Sequence, residues 1–281
     1  MKRPHPASLI VLLLLVAACT SAPATSQRAA TAQTVASQGG MSVEILTAGS
    51  FDLLAYRRPA DRASQAIVYI EGDGLGYISK SQPSNDPTPV DPVMLRLAAV
   101  DPRPGVAYLA RPCQYTGGEN ARNCQTDLWT LGRFSEEAVA ATSLAIDQLK
   151  AQSGAARVAL IGYSGGGVIA LLVAARRQDV DWIITVASPL DIDAFTAYHK
   201  VATMQGSLNP VSYARTLSRI PQIHYAGQDD KVVPATVMRS YLAALPHIEC
   251  AKLRVEKDVD HHQGWLSVWS RLSPTIPSCM K

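Results

Sequence analysis

Residues 158–177 constrain this chain more than any other stretch. Val158-Ala159-Leu160-Ile161 is an apolar, β-branched run that reads as a buried strand, and it enters the turn Gly162-Tyr163-Ser164-Gly165-Gly166-Gly167. Beyond the turn, residues 168–175 read as a buried helix stopping at Arg176 and Arg177. Ser164 therefore sits between strand and helix in the order Gly162-x-Ser164-x-Gly166, the nucleophile-elbow pattern, in which a strained turn lifts a serine oxygen off the end of a sheet. A serine held at positive φ brings the positions two before and two after it against other backbone, where only a small residue fits. The helix start adds unpaired N–H groups that favour negative charge. The motif alone arises by chance in about one chain in ten of this length, so its weight comes from the strand before it and the helix after it.

The same alternation of strand and helix recurs along the chain. Residues 42–47 and 51–57 alternate apolar and polar about a Gly49-Ser50 break and predict a hairpin. Ala66-Ile67-Val68-Tyr69-Ile70 is a continuous apolar run of the kind a parallel strand buried on both faces requires. It leads into the loop Glu71-Gly72-Asp73-Gly74. Further strands are predicted at 106–110, 181–187, 222–226 and 252–257, and helices at 94–100, 135–150 and 235–245, with a last one after Trp265. Ser135 followed by Glu136 and Glu137 marks a capped helix start. Strands alternating with helices argue for an α/β fold with a mostly parallel sheet covered on both faces, whose sites gather in the loops at the C-terminal strand ends. Residues 190–219 are less regular and form a small insertion, where Phe195 and Met204 either line a pocket or pack the core.

Ser164 needs a base to take its proton, a group to orient that base, and donors for the oxyanion. Aspartates and histidines follow the last two central strands: Asp229 and Asp230, then Asp260, His261 and His262. The order serine, acid, histidine is the one that accompanies the elbow. With Gly162-Tyr163-Ser164-Gly165-Gly166, Gly227-x-x-Asp230-x-Val232-Val233-Pro234 and Asp260-His261 before Trp265, residues 42–275 resemble the α/β-hydrolases. The strings Glu71-Gly72-Asp73-Gly74, Arg111-Pro112-Cys113-Gln114-Tyr115 and Gly206-Ser207-Leu208-Asn209-Pro210 are similar to those of exported bacterial members. The resemblance implies an α/β-hydrolase fold with a cap-like insertion at 190–219. It also implies hydrolysis of a small-molecule carboxylic ester through an acyl-serine, with no cofactor; no metal is expected either, because no His or Cys pair stands at zinc-ligand spacing near the cysteines. Thioesterase, peptidase or acyltransferase chemistry on the same residues, or an envelope lipoprotein that binds without catalysing, are the competing readings. The family pattern points to Asp230 rather than Asp229 as the acid and to His261 rather than His262 as the base. It places the oxyanion donors at the N–H groups of Gly165 and Asp73. Many members carry His-Gly where this chain has Glu71-Gly72, which leaves Gly72 and Gly74 as alternatives to Asp73.

The N-terminus reads as an address. Lys2 and Arg3 precede a short apolar core at 10–16, and Val16-Ala17-Ala18-Cys19 resembles the bacterial lipobox, in which cleavage leaves the cysteine as a lipidated N-terminus. An ordinary export signal cut at a nearby alanine is the alternative. Thr20, in place of Asp, argues by the same resemblance for the outer membrane, with the protein facing the periplasm. Residues 1–18 are thus expected to be a signal peptide, and residues 19–41, rich in Ala, Thr, Ser and Gln, a flexible tether. Residues 42–281 are expected to form the folded domain, held to the membrane by lipid alone. Loss of Lys2 and Arg3 takes the formal charge from +3 to +1, which gives no reason to expect nucleic-acid binding. Four cysteines remain beyond Cys19. In an oxidising compartment they predict two disulfides with three possible connectivities, Cys113–Cys124 with Cys250–Cys279 being the simplest.

Overall fold

A computed structural model describes residues 22–60 and 62–280; the expected signal peptide and Cys19 lie outside them. The elements follow in the order α1 (Thr25–Gln38), β1 (Ser42–Ala48), β2 (Phe51–Arg57), β3 (Ala66–Ile70), α2 (Val93–Val100), β4 (Val106–Leu109), α3 (Glu136–Gln152), β5 (Val158–Tyr163) and α4 (Gly165–Ala174). Then come β6 (Val180–Val186), α5 (Ile192–His199), α6 (Ala214–Leu217), β7 (Gln222–Gly227), α7 (Ala235–Ala244), β8 (Ala251–Glu256) and α8 (Trp265–Leu272). The strands make one eight-stranded sheet in the order β1-β2-β4-β3-β5-β6-β7-β8. β1 and β2 form the expected antiparallel hairpin, β2 meets β4 antiparallel, and the six strands from β4 to β8 in that order are parallel.

Side-chain alternation along the central strands feeds two cores, one on each face of the sheet. Ala66, Val68 and Ile70 of β3, with Val158 and Leu160 of β5, pack toward α3, α4 and α7. Ile67 and Tyr69, with Ala159, Ile161 and Tyr163, pack toward α1, α2 and α8. All ten residues of α4 are buried, which explains an apolar sequence without an amphipathic stripe. α3 carries the expected cap, the Ser135 side chain accepting from the Ala138 N–H. On α8, Trp265, Trp269 and Leu272 fall at helical spacing on one buried face, and the Trp269 indole donates to the Tyr69 hydroxyl.

The tether expected over residues 19–41 requires correction. Residues 25–38 form α1, and its Ala32, Val35 and Ala36 are buried in the second core beside Leu97 and Ala98 of α2. The physical reason is that small side chains let this helix come close. A Cβ on Gly39, just past its end, would lie 2.7 Å from the Ala99 backbone. Arg28, itself buried, reaches across to donate to the carbonyls of Asp86 and Thr88. Composition counts bulky apolar residues and so overlooks a helix that packs on alanine.

Both disulfides are closed, Cys113–Cys124 across 11 residues of sequence and Cys250–Cys279 across 29. Residues 190–219, between β6 and β7, carry α5, a 3-10 turn at Pro210–Tyr213 and α6. His199 of α5 bonds the Val232 carbonyl at 2.7 Å, tying this insertion to the loop after β7.

Candidate active site

Ser164 follows the last residue of β5 and caps α4 with φ 49° and ψ −125°. A non-glycine residue in that region stores roughly 1–3 kcal/mol of strain, and the surrounding backbone holds it there. The Ser164 N–H donates to the Val186 carbonyl at 2.9 Å, locking the turn to the end of β6. A Cβ on Gly162 would stand 2.3 Å from the Gly166 carbonyl oxygen, and one on Gly166 would stand 2.3 Å from the carbonyl oxygens of both Ile70 and Glu71. The elbow and the end of β3 therefore touch backbone to backbone.

His261 lies in the loop after β8, with Nε2 3.2 Å from Ser164 Oγ and Nδ1 2.9 Å from Asp230 Oδ2. A carboxylate can only accept, so the imidazole proton sits on Nδ1 and Nε2 is left to accept the serine hydroxyl. The Asp230 side chain is fully enclosed, and its other oxygen accepts the N–H groups of Val232 and Val233 at 2.8 and 2.7 Å. The His261 carbonyl is gripped twice, by the Tyr163 hydroxyl at 2.9 Å and the Trp265 indole at 3.2 Å. Tyr163 and Trp265 thus fix the histidine loop from β5 and α8. The neighbouring residues left open by the sequence are placed elsewhere. Asp229 is exposed, and exposed His262 turns its Nδ1 to the Tyr163 hydroxyl at 3.1 Å rather than to Ser164.

Across the serine from His261 runs the loop after β3. Gly165 begins α4, so its N–H has no partner within the helix. Of the other candidate donors, the Gly72 N–H is occupied, donating to Glu71 Oε1 at 2.9 Å. The Gly72 carbonyl accepts from the Gln114 side chain at 2.9 Å, which fixes this peptide. Asp73 and Gly74 carry the remaining N–H groups of the loop.

The two carboxylates of this loop have opposite environments. Glu71 is buried without a cation, and desolvation pushes its pKa up to about 7, against weaker opposition from hydrogen bonds. Asp73 lies between Arg111, 3.2 Å from Oδ1, and Arg133, 2.7 Å from Oδ2. Burial raises the Asp73 pKa, but the two guanidinium groups outweigh it and hold the carboxyl below its ordinary range. This carboxylate occupies the space a Gly165 side chain would need, since a Cβ there would fall 1.8 Å from Asp73 Oδ1. Arg133 carries no sequence signal of a site role. Arg111 and Gln114 belong to a string tied to relatives but to no role.

Ser164 opens onto two cavities. One, of about 400 Å³, is lined by Glu71, Tyr163, Pro89, Val90 and His261. The other, of about 230 Å³, is lined by Phe134, Phe195, Met204, Val233 and Arg133. Phe195 and Met204 of the insertion therefore face the serine.

No protein-family model matches the sequence, and no curated protein does. Solved structures do. An esterase of Pyrococcus furiosus superposes with a TM-score of 0.55 at 14% identity, over 83% of this chain and 88% of that one. Est1E of Butyrivibrio proteoclasticus gives 0.57 at 14% identity, over 82% and 95%. An alpha-beta serine hydrolase homologue of Coxiella burnetii gives 0.55 at 14% identity, over 83% and 94%. Strand order, the elbow at the end of β5 and these likenesses agree: the chain has the fold of the α/β-hydrolases.

Proposed function

We infer that the protein is a serine hydrolase that cleaves carboxylic esters through an acyl-serine intermediate. The observation that carries this reading is the unbroken line from Ser164 Oγ to His261 Nε2, and from His261 Nδ1 to an Asp230 carboxylate whose other oxygen is filled by two backbone N–H groups. In the proposed cycle His261 takes the Ser164 proton as Oγ attacks the ester carbonyl, and Asp230 stabilises the imidazolium. The oxyanion forms between the N–H groups of Gly165 and Asp73, each donor contributing on the order of 3 kcal/mol to lowering the barrier. His261 then protonates the departing alkoxide, and water repeats the sequence to release the acid. No cofactor enters these steps. Because the leaving group must collect its proton from His261, the alcohol occupies the cavity that His261 lines and the acyl chain occupies the one that Phe195 and Met204 line.

The test is labelling with a fluorophosphonate. The intact protein is expected to label, and Ser164→Ala to lose both labelling and p-nitrophenyl butyrate hydrolysis by roughly 10⁴- to 10⁶-fold. His261→Ala should fall nearly as far. An intact protein that neither labels nor hydrolyses would leave the fold serving ligand binding instead. We also propose that Cys19 carries a lipid that holds the protein at the periplasmic face of the outer membrane. The lipobox-like string supports this, and Cys19→Ala should move the protein from the membrane fraction to the soluble one.

A further inference from the structure

The acyl-side cavity has a charged group that ester cleavage does not require. Arg133 lines it beside Ser164 and Phe134. Its Nε donates to the Thr130 carbonyl at 2.5 Å and its Nη1 to Asp73 at 2.7 Å. Among the described residues, Nη2 has no acceptor, and the side chain is 16% exposed. Asp73 does not neutralise it, because Arg111, only 5% exposed, shares the same carboxylate. Two guanidinium groups around one carboxylate leave a surplus of one positive charge at the wall of a cavity whose remaining lining, apart from Asp73 and Ser164, is glycine, aromatic or aliphatic. A neutral acyl chain makes no use of that charge. An acyl chain ending in a carboxylate would place its methylenes against Phe195 and Met204 and its charge on the free edge of Arg133, where the hydrogen bond is charge-assisted and so stronger than a neutral one.

We propose that Arg133 is the anchor of an anion subsite, and that the preferred substrates are hemiesters of short dicarboxylic acids, with the free carboxylate on the acyl side. The inference rests on the serine-hydrolase reading for its turnover arm only, so the test has a second arm that needs no catalysis. In the Ser164→Ala protein, monomethyl succinate is expected to bind at least about tenfold more tightly than methyl butyrate in calorimetry, as one charged hydrogen bond would give. The double variant Ser164→Ala/Arg133→Gln should lose that preference. In the intact protein, kcat/KM for p-nitrophenyl hemisuccinate should exceed that for p-nitrophenyl butyrate by a similar factor. Arg133→Gln should bring the ratio to one or below, and Arg133→Lys should keep part of it. Because Arg133 also steadies Asp73, both rates will fall in these variants; the ratio between the substrates is the readout a purely structural role would not move. Absence of a preference in the binding arm, or one that survives Arg133→Gln, overturns the proposal. Arg133-dependent binding without turnover upholds the subsite and rejects the hydrolase reading instead.

Discussion

The elbow at residues 162–167 and the loop at residues 71–76 meet across Ser164, and they are held by different means. In the elbow, backbone bears on backbone. Gly166 is closed in by the carbonyls of Ile70 and Glu71, and Ser164 is pinned to Val186 through main-chain atoms. In the facing loop, main-chain bonds from Leu75 to Pro87 and from Ser84 to Gly76 anchor the far end, while side chains from distant parts of the chain hold the residues nearest Ser164. Gln114 secures Gly72, and Arg111 and Arg133 secure Asp73 from 38 and 60 residues away. A steric arrangement fails outright when an atom is added. An arrangement of charges keeps its shape and shifts its electrostatics when one partner changes.

Gly166→Ala puts the steric contact of the elbow under the heaviest load. Its methyl would overlap two carbonyl oxygens at 2.3 Å, neither of which can turn aside without moving β3 or α4. Stability should fall by about 3 kcal/mol or more, beyond ordinary overpacking. An unshifted denaturation midpoint would show that the elbow yields more than its contacts imply.

Glu71→Gln probes the other side through pH. The Glu71 pKa lies at about 7 in the fold against 4.5 for the free side chain. Between those values the native state holds a proton that the unfolded state has released, so this group makes stability fall as pH rises, by on the order of 3 kcal/mol in all. Above pH 7 both states are ionised and the slope ends. Buried His224 acts with the opposite sign. Desolvation pulls its pKa down to about 3 from 6.5, so its contribution to stability is lost as pH falls through that range. The difference between the intact protein and Glu71→Gln isolates the first slope, and urea midpoints at pH 5 and pH 7.5 measure it. Equal pH profiles would mean that Glu71 is not a buried neutral acid.

Gly165→Ala tests where the two regions interlock. The added methyl would meet the Asp73 carboxylate at 1.8 Å, a side chain that can swing away at the expense of its arginine pairs. We expect a loss of roughly tenfold to a hundredfold in kcat/KM on neutral esters, about 1–3 kcal/mol in barrier, with a smaller loss of stability than Gly166→Ala. If the two alanines destabilise equally, the distinction between rigid and adjustable contacts fails.

His262→Ala is the smallest effect. It removes a contact to the Tyr163 hydroxyl, which also grips the His261 carbonyl. The expected loss is at most about tenfold, or 1.4 kcal/mol. A loss matching that of His261→Ala would mean that the two histidines had exchanged places.

What the sequence made legible divides along the same line. The parallel strands and the elbow follow from local patterns, because apolar runs and glycine spacing act over a few residues. The central strands at 66–70 and 158–163 lie where the apolar runs end in glycine or acid. The meeting of Ser164, Asp230 and His261 follows from their order at successive strand ends. The charges around Asp73 were not legible, since nothing local to Arg133 tells which of many surface arginines turns inward. The cradle of His261 was hidden too. Tyr163 reads as the variable position of a motif, and Trp265 as one residue of a string shared with relatives but given no role, yet both donate to the same carbonyl. α1 was missed because alanine and threonine carry little pattern until a partner surface is known.

The placement of α1 sets a leash length. Its first residue is Thr25, so five residues, 20–24, separate it from Cys19. Fully extended, the six chain steps from Cys19 to Thr25 reach roughly 20 Å, less than the diameter of the domain they would serve. A lipid carried at Cys19 would therefore hold the domain by one corner, close against the membrane surface, rather than let it range at the end of a tether. Which way Ser164 opens would then follow from the docking of α1 on α2, and lengthening the chain at residue 22 with glycine and serine would change access to membrane-borne esters while leaving the hydrolysis of soluble ones alone.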